Sequence, residues 1–237
     1  MADGMYVGMS GAAARAEQLE SVADNLANAQ TTGFKASRPA FETFLSPEGR
    51  GELAYTAAVD TGIDLRPGDT TLTGRPTDVV PSDGAFLVVG LSDGSVGYTR
   101  DGRLQTDSAG RLLAGKHPVL GIDGKPIVVP PGAPFNLDGQ GTVLSEGREM
   151  GRLGLCLLQG PMERRGDSVL APAQEKGGRA LPVETRVRTG ELELSNAGPL
   201  EAAVQMITTQ RSYDTSMQAI QTYRRLDEQA SAVGRTK

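Results

Sequence analysis

The sequence is poor in the residue types on which most active sites and metal sites depend. Its 237 residues include one cysteine, one histidine and no tryptophan. Cys156 alone cannot form an internal disulfide, and its apolar surroundings predict a buried structural thiol rather than a nucleophile. Because His117 is the only histidine, the chain does not have the histidine and cysteine residues that the usual zinc sites and histidine-assisted nucleophiles require. We therefore predict no catalytic residues, no metal site, no cofactor and no enzymatic activity.

Long apolar runs and an excess of positive charge are also missing. The formal net charge is −5 with both signs interspersed, so no basic stripe indicates nucleic acid as a partner. No apolar run approaches the roughly 18 residues that a membrane-spanning helix needs. The N-terminus has no basic region before an apolar stretch, and we expect no cleaved signal peptide. Composition thus predicts a soluble chain that neither binds nucleic acid nor spans a membrane.

One stretch is similar to a phosphate-binding loop. Residues 110–117 read Gly-Arg-Leu-Leu-Ala-Gly-Lys-His, close to the pattern GxxxxGK[ST]. His117 stands where a hydroxyl would hold Mg²⁺, and Pro118 follows where a helix should begin. Turn signals surround the stretch, so we interpret Lys116 and His117 as turn residues and expect no small-molecule substrate.

Turn-forming residues are abundant, with 31 glycines and 14 prolines. Residues 77–185 alternate short apolar strands with Asp-Gly and similar turns, which predicts an all-β domain with a small sandwich or barrel-like core. Residues 33–76 lose helical periodicity and predict an extended arm or linker. Residues 186–198 are predicted to form a return strand and connector.

The first 32 residues carry the clearest pattern in the chain. Apolar and small residues alternate at spacings of 4 and 3, which is typical of a helix that packs along a partner helix. Gly33 stands where a left-handed C-terminal cap is expected. The predicted helix is roughly 40 Å long and needs partners along its length. Its seam consists of Met5, Met9, Ala12, Ala16, Leu19, Ala23 and Leu26.

A similar pattern recurs in residues 199–237, which are predicted to form a second long helix. Pro199 suits the first helical position, and Glu201 suits the positive end of the helix dipole. The two terminal helices predict a coiled-coil core, paired within one subunit, between subunits or both. The fold class is therefore α+β, with heptad helices at both ends and an all-β middle. The second seam consists of Ala203, Met206, Gln210, Tyr213, Met217 and Ile220.

Two asparagines near the end of the first helix have two interpretations. Asparagine is a poor residue inside a helix because its side chain competes for backbone groups. Asn25 and Asn28 are either solvated or capping a frayed end, or they form interhelical hydrogen bonds that fix the register. With them, the predicted assembly interface consists of Met9, Ala12, Ala16, Leu19, Ala23, Asn25, Leu26, Asn28, Met206, Tyr213, Met217 and Ile220.

Several motifs occur in order along almost the whole chain. The N-terminal ones are Ser-Gly-Ala at 10–12, Val-Ala-Asp-Asn-Leu-Ala-Asn at 22–28 and Thr-Thr-Gly-Phe-Lys at 31–35. They closely resemble the motif of bacterial flagellar rod and hook proteins, with Asp24 in place of a usual asparagine. The resemblance continues at residues 78–79, 84–87, 97–102, 121–127, 190–196 and 206–213. Directly after residues 190–196, Ala197 replaces a usual valine. Chain length and residues 72–79 and 115–121 resemble proximal rod members most closely, with the distal rod protein second.

The resemblance implies a mechanical role rather than a catalytic one. It implies export of the unfolded chain by the flagellar export apparatus and assembly under the rod cap into the periplasmic rod. Partners would be copies of the chain and other rod proteins, and the rod would carry torque from motor to hook. A rival interpretation of a different class is a ligand-binding or enzymatic β domain that carries oligomerising helices. A closed coiled-coil oligomer is a further rival.

Overall fold

The computed structural model describes residues 2–45, 54–166 and 168–234. It has an α+β fold, as predicted, with a long helix at each end and a β-rich region between them. Residues 46–53 of the predicted arm and 235–237 of the predicted C-terminal helix lie outside the described residues, as does the side chain of Met5. Two compact units emerge, one of residues 1–27, 37–62 and 198–237, the other of residues 28–36 and 63–197.

The helical unit contains both helices and one hairpin. Helix α1 spans Ala2–Ala27 and helix α2 spans Pro199–Gly234. The two helices pack against each other, and α1 also contacts the first strand of the hairpin. The hairpin lies within the segment predicted to be an extended arm, and its strands are β1 (Ser37–Leu45) and β2 (Ala54–Ile63).

The β unit is built from short antiparallel strands. Its largest sheet has six strands in the order β14-β15-β6-β5-β13-β16, and its other sheets have two or three strands each. The strands are β3 (Thr70–Leu72), β4 (Val79–Pro81), β5 (Phe86–Gly90), β6 (Val96–Thr99), β7 (Leu104–Thr106), β8 (Leu112–Ala114), β9 (His117–Pro118), β10 (Phe135–Leu137), β11 (Thr142–Ser145), β12 (Arg148–Arg152), β13 (Leu155–Gln159), β14 (Met162–Arg164), β15 (Val169–Pro172), β16 (Arg179–Pro182), β17 (Val187–Thr189) and β18 (Glu191–Glu193).

Two apolar cores stabilise the β unit. The larger one gathers aliphatic side chains from many strands, such as Leu87, Leu112 and Val143. The smaller one centres on Phe86 and Leu170, so neighbouring residues of β5 contribute to different cores. Burying alternate side chains on opposite faces of a sheet is what the two-residue period of a strand produces.

The structure corrects the predicted end of the first helix. Helix α1 ends at Ala27, and a turn follows in which the Thr31 amide donates to the Asn28 carbonyl at 3.0 Å. Gly33 does adopt the expected left-handed backbone, with φ of 68°, but it lies beyond this turn and caps no helix. The start of α2 at Pro199 is confirmed.

The resemblance to a phosphate-binding loop has a plain structural origin. Residues 110–118 form the hairpin of β8 and β9, in which Ala114 pairs with His117 and Leu113 with Pro118. The prediction that a turn lies here is confirmed for Lys116, whereas His117 belongs to a short strand. No helix in the described part of the chain is long and apolar enough to cross a membrane.

Candidate assembly interface

The contact between α1 and α2 depends on small residues. Gly8 faces Ile220, and a Cβ atom placed on Gly8 would lie 3.0 Å from Ile220 Cγ1. Ile220 is buried, with 8% of its surface exposed. A glycine therefore lets the two backbones approach closely at this point, and a larger residue would push them apart.

On α2 the inward stripe is offset from the predicted one. Ala202, Thr209 and Ile220 are buried and Met206, Tyr213 and Ser216 are half-buried, a set spaced 4, 3, 4, 3 and 4. Gln210 and Met217, which the prediction places on the seam, are both exposed in the single chain. Thr209 is buried and Ser216 half-buried at the corresponding turns instead, because small side chains suit a close helix contact. Whether Gln210 and Met217 meet a neighbouring subunit stays a prediction.

On α1 the predicted seam covers one edge of the buried face. Ala12 is buried and Ala16, Leu19, Ala23 and Leu26 are half-buried, whereas Met9 is exposed. Ala14, Ser21 and Val22 are buried although they lie off the predicted seam. A heptad template admits only two positions per seven residues, and it misses the wider face that a helix buries against several neighbours. Whether these residues bind another subunit stays a prediction.

Asn25 has a defined local role. Its side-chain Oδ1 accepts from the Ser37 amide and its Nδ2 donates to the Ser37 carbonyl, both at 2.8 Å. Asn25 is buried, so these bonds satisfy an amide that would otherwise cost free energy. The side chain therefore holds the start of β1 to the last turns of α1, and this contact is neither of the two roles considered from the sequence. Asn28 is half-buried, and its Oδ1 accepts from the Thr31 hydroxyl at 3.2 Å.

A second apolar stripe on α2 has no cover in the single chain. Leu200 is 78% exposed, and Val204 and Ile207 are each 53% exposed. Their spacing of 4 and 3 places them on one side of the helix, different from the side that carries Thr209 and Ile220. We call Leu200, Val204 and Ile207 the outer stripe. Contiguous exposed apolar residues of this kind mark surfaces that bind another protein.

The β unit holds a buried charged cluster that the sequence did not reveal. Lys35 and Glu193 are each 1% exposed and Arg100 is 2% exposed. Lys35 Nζ lies 2.5 Å from Glu193 Oε1, and Arg100 Nη2 lies 3.0 Å from Glu193 Oε2. One carboxylate is thus shared by two cations from distant parts of the chain. We call these three residues the charged cluster.

Burial dominates the electrostatics of the charged cluster. Removal from water lowers the pKa of Lys35, and the attraction of Glu193, which raises this pKa, only partly offsets the lowering. The same desolvation lowers the pKa of Arg100. Two cations around one carboxylate leave an excess positive charge in a dry site, so the carboxylate of Glu193 is the group on which the cluster depends.

The β unit also has an open groove of about 990 Å³ whose lining includes Asp93, Tyr98 and Arg179. Burial raises the pKa of Tyr98, and a hydrogen bond from Ser95 lowers the pKa of Asp93. Each shift has a local cause, so neither indicates a substrate. Among the described residues, no three side chains of His, Cys, Asp or Glu are placed to hold a metal ion.

Cys156 is buried in β13, as predicted, and burial raises the pKa of its thiol. A higher pKa leaves less thiolate at a given pH, and burial blocks the reagent, so both effects slow thiol chemistry. We expect 5,5′-dithiobis(2-nitrobenzoate) at pH 8 to react with the native protein about a hundredfold more slowly than with protein unfolded in urea. A matched control is the double variant Cys156→Ala, Ser108→Cys, whose thiol lies in an exposed turn. Equal native rates for the two proteins would contradict the assignment.

The profiles of two flagellar basal-body rod families match the two ends of the chain. The profile of the "Flagella basal body rod protein" matches residues 5–35, and that of the "Flagellar basal body rod FlgEFG protein C-terminal" matches residues 188–233. The first match contains α1 from residue 5 onward, and the second contains most of α2 together with β18. Both profiles therefore include a terminal helix and a residue of the charged cluster, Lys35 and Glu193.

Relatives match along nearly the full length. The flagellar basal-body rod protein FlgF of Salmonella typhimurium is 35% identical over 232 residues, covering 91% of this chain and 92% of its own. FlgF of Escherichia coli gives the same values, and FlgG of Buchnera aphidicola from Acyrthosiphon pisum is 27% identical over 94% of this chain and 96% of its own. The chain belongs to the flagellar basal-body rod protein family. Within that family it is FlgF-like.

Proposed function

We propose that this chain is a structural subunit of the proximal rod of the flagellar basal body. In this proposal the chain crosses the inner membrane unfolded through the flagellar export apparatus and assembles under the rod cap in the periplasm. There it polymerises through α1 and α2 with copies of itself and with other rod proteins. The rod then transmits torque from the motor to the hook, and the subunit needs neither a substrate nor a cofactor.

The observation that carries the proposal is the outer stripe on α2. Leu200, Val204 and Ile207 expose apolar surface in the single chain, while the opposite side of the same helix is covered. A helix that is apolar on two sides requires two sets of neighbours, and one subunit supplies only one set. Neighbouring subunits in a rod would supply the other and form a coiled-coil core.

Similarity favours a proximal position over a distal one. The FlgF relatives from Salmonella typhimurium and Escherichia coli are 35% identical to this chain, compared with 27% for the Buchnera FlgG. The distal rod is therefore the second candidate position for the subunit. Both positions use the same helices, so the experiment that follows tests rod assembly for either.

We expect Ile207→Asp to abolish motility in a strain that carries the variant as its only copy. The added carboxylate would be buried unpaired when the outer stripe meets a neighbouring subunit, which costs several kcal/mol. The isolated monomer should keep its helix content, because Ile207 is already exposed to water. Motility on soft agar and electron micrographs of purified basal bodies measure the effect.

The control for this experiment is Gln210→Asp, which adds the same charge one turn further along α2. Gln210 is exposed and polar, and it does not belong to the outer stripe. Its variant should swim nearly as well as the parent strain. Normal motility and complete rods with Ile207→Asp would contradict the proposed interface.

A further inference from the structure

Four consecutive residues after α1 are held inside the β unit. We call Gly33, Phe34, Lys35 and Ala36 the docked segment; all four are buried. Phe34 packs with Ala36 and Ala197 in a small apolar cluster of its own. Docking therefore buries an aromatic ring, and removal of that apolar surface from water favours the docked state.

Polar groups hold the backbone of the docked segment on both sides. The Gly33 amide donates to the Glu193 carbonyl at 2.9 Å, and the Ala36 amide donates to Asn196 Oδ1 at 2.6 Å. Arg164 lies over the Phe34 ring, 4.2 Å from its centre, and donates to the Lys35 carbonyl at 2.7 Å. The segment is thus fixed to strand β18 and to the connector that follows it.

The charged cluster lies at the centre of these contacts. The ammonium group of Lys35 donates to Glu193 and also to the Arg66 carbonyl, at 2.8 Å. Glu193 Oε1 accepts in addition from the Gly68 amide at 3.1 Å, and Arg100 donates to the carbonyls of Pro81 and Ala85. Arg100 is therefore held by backbone whether or not the docked segment is present, whereas Lys35 arrives with that segment.

We propose that Glu193 is a latch for the docked segment. The Arg100–Glu193 pair is built into the β unit, and insertion of Lys35 closes the latch by completing the cluster. In the closed state the chain segments that adjoin α1 and α2 in sequence, residues 31–36 and 191–197, are held side by side. The proposal goes beyond rod assembly, because it concerns a single subunit and holds for the monomer.

Electrostatics explain why the latch depends on Glu193. Without its carboxylate, Lys35 and Arg100 would face each other as two buried cations that have lost the counter-charge they share, which is strongly unfavourable. Arg100 cannot lose its proton or leave its carbonyl partners easily, so Lys35 is the residue that must withdraw. Withdrawal of Lys35 pulls its neighbours Phe34 and Ala36 out of their contacts. The latch opens locally while the apolar cores remain.

Hydrogen–deuterium exchange on the full-length monomer tests the latch. In Glu193→Gln we expect the amides of Gly33 and Ala36 to exchange at least about tenfold faster than in the parent. The amides in the larger core, such as that of Leu112, which donates to the Ile127 carbonyl, should change much less. The matched control is Glu191→Gln, which changes the same residue type on the same strand but removes a partly exposed pair with Arg188 that lies outside the charged cluster. It should leave exchange at Gly33 and Ala36 unchanged.

A second variant decides the matter if Glu193→Gln does not fold. Lys35→Met removes the arriving cation and leaves the neutral Arg100–Glu193 pair, so the β unit should fold while the docked segment exchanges about tenfold faster. Exchange that accelerates by the same factor throughout the β unit, or that is unchanged at Gly33 and Ala36, would overturn the latch.

The double variant supplies the last check. If Lys35 and Glu193 act through one contact, Lys35→Met combined with Glu193→Gln should release the docked segment no further than Glu193→Gln alone. Effects that multiply instead would mean that the two residues act independently, and the latch would be wrong.

Discussion

Replacing Gly33 with alanine is expected to destabilise the β unit by about 3 kcal/mol or more, the largest effect of any single methyl group that we predict. Gly33 has a left-handed backbone, with φ of 68°, and lies directly against the peptide that joins Arg100 to Asp101. A Cβ atom would overlap the backbone carbon of Arg100 and the nitrogen of Asp101, neither of which can rotate away. The docked segment would have to leave.

A matched substitution separates the steric effect from the conformational one. Gly74 has nearly the same φ, 69°, but open space where its Cβ atom would lie. Gly74→Ala should therefore cost only the left-handed penalty, about 1–2 kcal/mol. Urea unfolding of the two variants, followed by circular dichroism, measures both costs. Equal losses would show that close contact with Arg100 has no part in the stability of the docked segment.

The sequence was sufficient for the α+β class because that class depends on local signals. Helix α2 begins at Pro199, where proline needs no backbone donor. The turn at Asp93-Gly94 joins β5 to β6, and Gly94 has φ of 81°, the conformation for which glycine is selected. Features of this kind are encoded within a few residues, so a sequence pattern predicts them directly.

Register on the helices was harder to predict, because neighbours decide it. Thr209 and Ser216 face inward, whereas Gln210 and Met217, which continue the spacing of the predicted seam, are exposed. Small side chains suit a close helix contact, whereas large apolar side chains of α2 lie in the exposed outer stripe. A helix with two apolar sides gives a pattern that one seam cannot describe.

The charged cluster was beyond sequence reasoning for a different reason. Lys35, Arg100 and Glu193 come from three distant parts of the chain, and each alone looks like an ordinary surface charge. All three residues lie in motifs that the family resemblance marks, at 31–35, 97–102 and 190–196, but no pattern in those motifs gives the charges a role. A partial signal was present in their context, since Lys35 follows Phe34 and Glu193 lies between Leu192 and Leu194, whereas Arg100 lies between Thr99 and Asp101. Only the fold shows that the three meet.

Replacing Ile220 with aspartate is expected to separate α1 from α2 in the isolated monomer. Ile220 is 8% exposed and lies against Gly8, where no space remains for a hydrated carboxylate. Burying that charge unpaired costs several kcal/mol, more than two Ala-rich helices can recover from the rest of their contact. The helices should therefore lose much of their helical signal in far-ultraviolet circular dichroism, because isolated helices are marginal in water.

The matched comparison is Ile207→Asp, the same substitution on the same helix at a 53% exposed position of the outer stripe. The two variants should fail at different steps, although both should abolish motility. Ile220→Asp should lose helix in the monomer and become sensitive to protease at both ends, whereas Ile207→Asp should keep a native monomer and fail only in assembly. If both variants kept a native monomer, Ile220 would not belong to an intramolecular seam. If both unfolded, the outer stripe would be part of the subunit's own core rather than a surface for its neighbours.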